Sequence, residues 1–194
     1  ETIAALQESH GSLGDDELLA FLAVLLVAGN ETTRNAITGG MLGLSLFPEQ
    51  KQLMLDNLDI DDFMDKAVDE IIRYVSPVLN FIRTVTTDHE YKGTKFKEGD
   101  RVLLMYPSAN RDERVFDNPD EVMLDRAVNR HLAFGVGIHR CAGSNLARLE
   151  LRVALQTWMQ RIPEFELVEP AEVTWAGGQV RGPRRCLVRF AQPV

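Results

Sequence analysis

The chain has 194 residues, 45% of them hydrophobic, 26% charged and 7% aromatic, and 21 Lys and Arg against 29 Asp and Glu leave a formal charge of −8 at pH 7. These figures describe a globular protein and exclude a disordered polyanion, a disulfide-stapled miniprotein and a nucleic-acid binder, which needs clustered positive charge. The length predicts a single domain, and two distant cysteines without a charged-then-apolar leader predict a reducing, cytoplasmic setting.

Asp15, Asp16 and Glu17 open the first predicted element, where negative charge complements the positive end of a helix dipole. That helix runs from about residue 15 to 46, ahead of Pro48. Its apolar run, Leu18 to Ala28, is shorter than the roughly 18 or more residues a bilayer span requires, so no membrane span is expected. Apolar on all sides, the run reads as the buried stretch of a helix crossing the centre of a mainly helical protein. A second helix is predicted from Pro48 to Asp56 or Asn57. A third, over 61–75, gathers Phe63, Met64, Ala67, Val68, Ile71, Ile72 and Val75 on one face and stops before Pro77. From Phe81 to Tyr106 the pattern alternates as in strands, with a hairpin over 91–96. Residues 110–130 read as a packed polar loop, too long for an ordinary connection. A glycine-spaced stretch from His131 to Gly143, an amphipathic helix to about Arg161 and short strands around Gly177-Gly178 complete the chain. The fold class predicted is mainly α with small β-sheets.

Three constellations carry chemistry. Cys141 ends the glycine-spaced stretch at the predicted start of a helix, where backbone N–H groups and the helix dipole favour a thiolate. Gly135, Gly137 and Gly143 suit a backbone that bends sharply or approaches a flat ligand closely. Read alone, a cysteine in a helical protein is usually a small core hydrophobe. A zinc site is disfavoured because His131, His139 and Cys141 lack a fourth ligand, and a Cys–His nucleophile lacks an orienting third group. The segment Ala28-Gly29-Asn30-Glu31-Thr32-Thr33 puts polar groups into the apolar helix, where a threonine can bond back to the carbonyl four residues earlier and loosen the ladder. Glu70 and Arg73, three apart, share a helix face; exposed, such a pair contributes only ~0.2–0.5 kcal/mol.

The pattern Phe134-Gly135-x-Gly137-x-His139-x-Cys141-x-Gly143 resembles the cysteine-ligand loop of the cytochrome P450 family, the haem-thiolate monooxygenases. The resemblance implies haem b, iron protoporphyrin IX, as cofactor, with the Cys141 thiolate as axial iron ligand, Phe134 packed beside it, and His139 and Arg83 reaching the propionates. Residues 28–33 resemble the family's oxygen-binding central helix, which implies that Ala28 and Gly29 make room beside the iron and that Glu31 and Thr32 relay protons. Glu70, Arg73 and Arg126 resemble the family's buried Glu-x-x-Arg pair with its third partner from the long loop.

The whole chain follows the family's order but covers only part of its fold. It therefore reads as the C-terminal, haem-binding portion (1–194) with the N-terminal half absent, expected to associate with that half or with another copy. Leu25, Leu26, Val78, Leu79, Phe81, Gln179 and Val180 are the expected substrate contacts. Their apolar character, and a similarity to bacterial members acting on sterols and methyl-branched lipids, imply a lipophilic small-molecule substrate. With no flavin or nicotinamide motif, electrons are expected from a separate ferredoxin and its reductase, steered by a patch of Arg140, Arg148 and Arg152. The expected reaction inserts one atom of O2 into a C–H bond. The alternative is a catalytically incompetent remnant, haem-binding or haem-free.

Overall fold

The structure is a computed structural model, and it describes residues 13–168 and 172–190. The elements in order are helix α1 (Asp15–Leu46), α2 (Pro48–Asp56) and α3 (Asp61–Val75), strands β1 (Asn80–Thr84), β2 (His89–Tyr91), β3 (Thr94–Phe96) and β4 (Arg101–Met105), and the short helix α4 (Tyr106–Ala109). After a long loop come a 3-10 turn (Gly137–His139), helix α5 (Ser144–Arg161) and strands β5 (Phe165–Leu167), β6 (Thr174–Ala176), β7 (Gly182–Arg185) and β8 (Val188–Phe190). The mainly helical class with small sheets is as expected. The strands pair antiparallel as four two-stranded sheets among the described residues: β1 with β4, β2 with β3, β5 with β8 and β6 with β7.

The chain divides into two compact units, residues 1–31 and 32–194. In the first, the described part is the N-terminal half of α1. It starts with three acidic residues, and the Gly14 N–H donates to Glu17 Oε2 at 3.1 Å, satisfying one unpaired donor of the first turn. The expectation that residues 18–28 are buried is corrected here. Leu19, Val24, Leu26 and Val27 are 65%, 64%, 76% and 73% exposed. Apolar sequence states only which faces favour burial; burial itself needs elements laid on every face, and the described part of this unit is one helix.

The second unit holds the core. It is built from Ala36 and Leu44 of α1, Met54 of α2, Met64, Ala67, Val68, Ile71 and Ile72 of α3, Val122 and Leu124 of the long loop, and Leu151, Leu155 and Met159 of α5, with Phe165 of β5. The face read from the α3 sequence is the face that is buried, with Phe63 and Val75 at its margin. Helix α1 approaches this core through glycines. A Cβ on Gly40 would lie 2.7 Å from Ile71 Cγ2, and one on Gly39 2.7 Å from Val75 Cγ1, so only glycine lets the two backbones come this close.

Candidate functional site: a cysteine loop bolted to a buried charge network

Helix α3 turns two neighbouring carboxylates in different directions. Glu70 and Arg73 are both fully buried. The Arg73 guanidinium forks onto the carboxylate, Nε to Oε2 and Nη2 to Oε1, each at 2.8 Å. Arg126, from the long loop, approaches the same carboxylate with Nε 2.9 Å from Oε2 and Nη2 3.2 Å from Oε1. The Met123 backbone N–H (2.9 Å) and Asn129 Nδ2 (3.1 Å) also donate to Glu70. The remaining Arg73 donors reach the carbonyls of Asn110, Pro119 and Glu121 at 2.7, 2.8 and 2.8 Å, and both guanidinium groups lie against the buried Phe116 ring. One buried carboxylate thus faces two buried guanidinium groups, with the excess charge spread over main-chain carbonyls. This is the compensation that buried ions require.

The network ties the loop down at a second point. Asn110, fully buried, donates from Nδ2 to Ser76 Oγ at 2.8 Å and accepts the Leu132 N–H on Oδ1 at 2.7 Å. Leu132 opens the cysteine loop. There Gly135 and Gly137 both adopt φ +67°, a left-handed conformation that favours glycine. The Gly135 N–H returns to the Leu132 carbonyl and the Cys141 N–H to the Phe134 carbonyl, both at 2.8 Å. Cys141 is exposed and Cys186 half-buried; burial pushes the Cys186 thiol up from its ordinary value. Helix α5 begins at Ser144, three residues beyond Cys141, so the cysteine precedes the helix rather than opening it, and the Ser144 N–H reaches the Cys141 carbonyl at 3.3 Å.

The other expected residues fall as follows. Ala28 and Gly29 are exposed, and Glu31 and Thr32 half-buried, in a helix continuous through residues 28–33. His139 is exposed, and Arg83 lies on β1 opposite Val102, its Nη1 donating to the Ile82 carbonyl at 3.0 Å. Val78 and Val180 form a β-bridge, and the Leu79 N–H donates to the Gln179 carbonyl at 2.8 Å, so these four expected contacts adjoin one another. Phe81 meets the Tyr106 ring edge-on at 6.1 Å. Leu25 and Leu26 are exposed on the first unit.

The expected basic patch is corrected. Arg148 Nε binds Asp69 Oδ1 at 2.6 Å, and Arg152 pairs with Asp65 (3.1 Å) and Asp61. Acidic residues four apart along α3 thus neutralise arginines four apart along α5, leaving Arg140 as the exposed member. Asp69 itself is half-buried, which raises its pKa, but hydrogen bonds and charge from His131 and Arg148 outweigh this and hold the carboxyl below its ordinary value. Asp69, Asn110 and Asn129 escape a sequence reading because their partners lie tens of residues away; the one available signal was the unusual length of the polar loop.

Among the described residues no group of three or more His, Cys, Asp or Glu could hold a metal ion. An exposed soft sulfur donor suits a cofactor that brings the rest of its iron ligands with it. The loop geometry agrees: Cys141 is exposed, at the end of a loop bent at Gly135 and Gly137. The donor set therefore fits a haem.

The family model described as Cytochrome P450 matches residues 2–173. The chain belongs to the cytochrome P450 family. It is 48% identical over 158 residues to the methyl-branched lipid omega-hydroxylase of Mycobacterium tuberculosis, covering 81% of this chain and 36% of that protein. It is 38% identical to cytochrome P450-terp of a Pseudomonas species, covering 98% and 44%, and 38% identical to the steroid C26-monooxygenase of Mycolicibacterium smegmatis, covering 83% and 39%. Among solved structures, the P450 PksS of the Bacillus subtilis bacillaene polyketide synthase superposes with a TM-score of 0.89 at 35% identity, over 95% of this chain and 47% of that one. The chain spans less than half the length of these relatives, and its fold is the corresponding part of the P450 fold.

Proposed function

We propose that residues 1–194 are the haem-binding portion of a P450 monooxygenase that inserts one atom of O2 into a C–H bond of a lipophilic substrate, with electrons from a ferredoxin and its reductase. The observation that carries this reading is the exposed Cys141 thiol at the end of a glycine-bent loop whose start is hydrogen-bonded to a fully buried asparagine. Cys141 would hold the iron, with Phe134 in the same loop, and His139 and Arg83 would meet the propionates. Bound there, haem would supply the redox and oxygen-activating chemistry that no side chain carries.

The protein's own part is positioning and proton delivery. The Thr32 hydroxyl offers one donor and two acceptor lone pairs, and with the Glu31 carboxyl it serves as the proton relay. Val78, Leu79, Phe81, Gln179 and Val180 receive an apolar substrate. The names of the methyl-branched lipid and steroid relatives support a lipid as that substrate. Among the described residues no helix is long and apolar enough to cross a membrane.

A carbon monoxide difference spectrum of the reduced, haem-reconstituted chain tests the ligand. The long-wavelength Soret band of thiolate ligation is expected, lost in Cys141→Ser and kept in Cys186→Ser. The reverse pattern overturns the assignment, and no Soret band in the unaltered chain favours the haem-free remnant.

A further inference from the structure

The Phe134 ring lies against two groups that share one carboxylate oxygen. The Arg148 guanidinium sits 4.7 Å from the ring centroid, and the His131 ring lies 5.7 Å from it, tilted by 53°. Arg148 Nε is 2.6 Å from Asp69 Oδ1 and His131 Nε2 is 3.5 Å from that same atom. His131 Nδ1 in turn accepts the Ala133 N–H at 3.2 Å, one residue before Phe134. Asp69 stands beside Glu70 on α3, so the helix that anchors the buried network also anchors the ring.

We infer that Arg148 is a positioning residue for Cys141: held by Asp69, its guanidinium clamps the Phe134 ring and thereby fixes the carbonyl that receives the Cys141 N–H. The inference rests on reading the 134–143 loop as the ligand loop. A planar guanidinium can fork onto a carboxylate and lie over an aromatic face together, which an ammonium cannot do as well. Arg152, one turn further along α5, provides the internal contrast. It makes ion pairs of the same kind with Asp61 and Asp65, but among the described residues no aromatic ring lies beneath it as Phe134 lies beneath Arg148. If Arg148 served only to join α3 to α5, the two arginines would be equivalent.

Hydrogen exchange of the Cys141 and Gly135 amides in the unloaded 194-residue chain, at fixed pH and temperature, separates them. Arg148→Ala should speed exchange at Cys141 roughly three- to thirtyfold, the range that losing a cation–π contact of ordinary strength allows. Arg152→Ala should leave it unchanged at matched global stability. If Arg148→Ala does not fold, Arg148→Lys keeps the charge at Asp69 and should still give a smaller acceleration, absent in a Phe134→Leu background where no ring remains to clamp. Equal acceleration by Arg152→Ala, or no acceleration by Arg148→Lys, overturns the inference. In the haem-loaded chain, Arg148→Lys should shift the reduction potential and Arg152→Ala should not. Exchange is read without cofactor, so a failure of Cys141 to ligate iron removes the potential shift and leaves the exchange result intact.

Discussion

Glu70 and Arg73 are charged and fully buried, whereas Leu26 and Val27 are apolar and 76% and 73% exposed. The contrast is between a region packed on every side by described partners and one that the described residues leave exposed. Around Glu70, the long loop supplies the carbonyls of Asn110, Pro119 and Glu121 and the Met123 N–H at the positions that the Arg73 guanidinium and the Glu70 carboxylate require. Around Leu26 the described residues of the unit supply one helix. Burial follows the availability of complementary groups more closely than it follows polarity.

The largest effect is expected from breaking the first region. Glu70→Ala leaves two buried guanidinium groups facing each other, and losing one partner of a buried ion pair typically costs ~3–5 kcal/mol. Urea denaturation should show a loss of this size, with haem incorporation failing before any effect on catalysis is measurable. A loss below about 1 kcal/mol, the range of an exposed pair, would mean that the network is not a folding element.

A smaller loss is expected at the α1–α3 approach. Alanine is favoured over glycine inside a helix by about 1 kcal/mol, but Gly40→Ala would place a methyl 2.7 Å from the Ile71 side chain. Overpacking typically costs ~1–3 kcal/mol. Ile71 is itself only 1% exposed and has no solvent to swing into, so the steric term wins. Net destabilisation of up to about 2 kcal/mol by the same denaturation is the expected outcome; raised stability would show that the helices slide apart freely.

How far the sequence foretold this contrast depends on the range of the signal. The α3 face and the cysteine loop were legible because helix period and glycine spacing are local patterns. Arg126 was legible only through resemblance, and Met123 contributes a backbone N–H that its side chain does not advertise. Arg148 and Arg152 read as free cations because their aspartates lie 79, 87 and 91 positions away. The apolar run in α1 read as buried because composition reports the need for cover, not its source.

Asp69 lies between the two regions in character, half-buried and only partly screened, and it should answer to pH. Its folded pKa is below the ordinary carboxylate value of 3.8, so its pairing with His131 and Arg148 stabilises the fold above that value and the stabilisation is lost as pH falls through the lowered folded pKa. Near neutrality Asp69→Asn should therefore cost ~0.2–1 kcal/mol, the range of a solvent-screened pair. The difference from the unaltered chain should close below pH 3.8 in acid titrations followed by circular dichroism. A gap that persists there would assign the effect to hydrogen-bond geometry instead of charge.

The smallest effect on stability, and the sharpest test of the second region, is expected from Leu26→Ser combined with Val27→Ser. Both side chains already face solvent in this chain, so the double variant should unfold within about 0.5 kcal/mol of the parent, as surface substitutions usually do. Contiguous exposed apolar surface, by contrast, favours association. The parent chain should therefore run larger than its monomer mass in size-exclusion chromatography with light scattering, and the double variant should shift toward monomer at the same concentration. A parent that is already a cooperatively melting monomer would show that the exposed half of α1 needs no cover; a variant that loses stability along with association would show that these side chains are packed in solution, and would erase the contrast with Glu70.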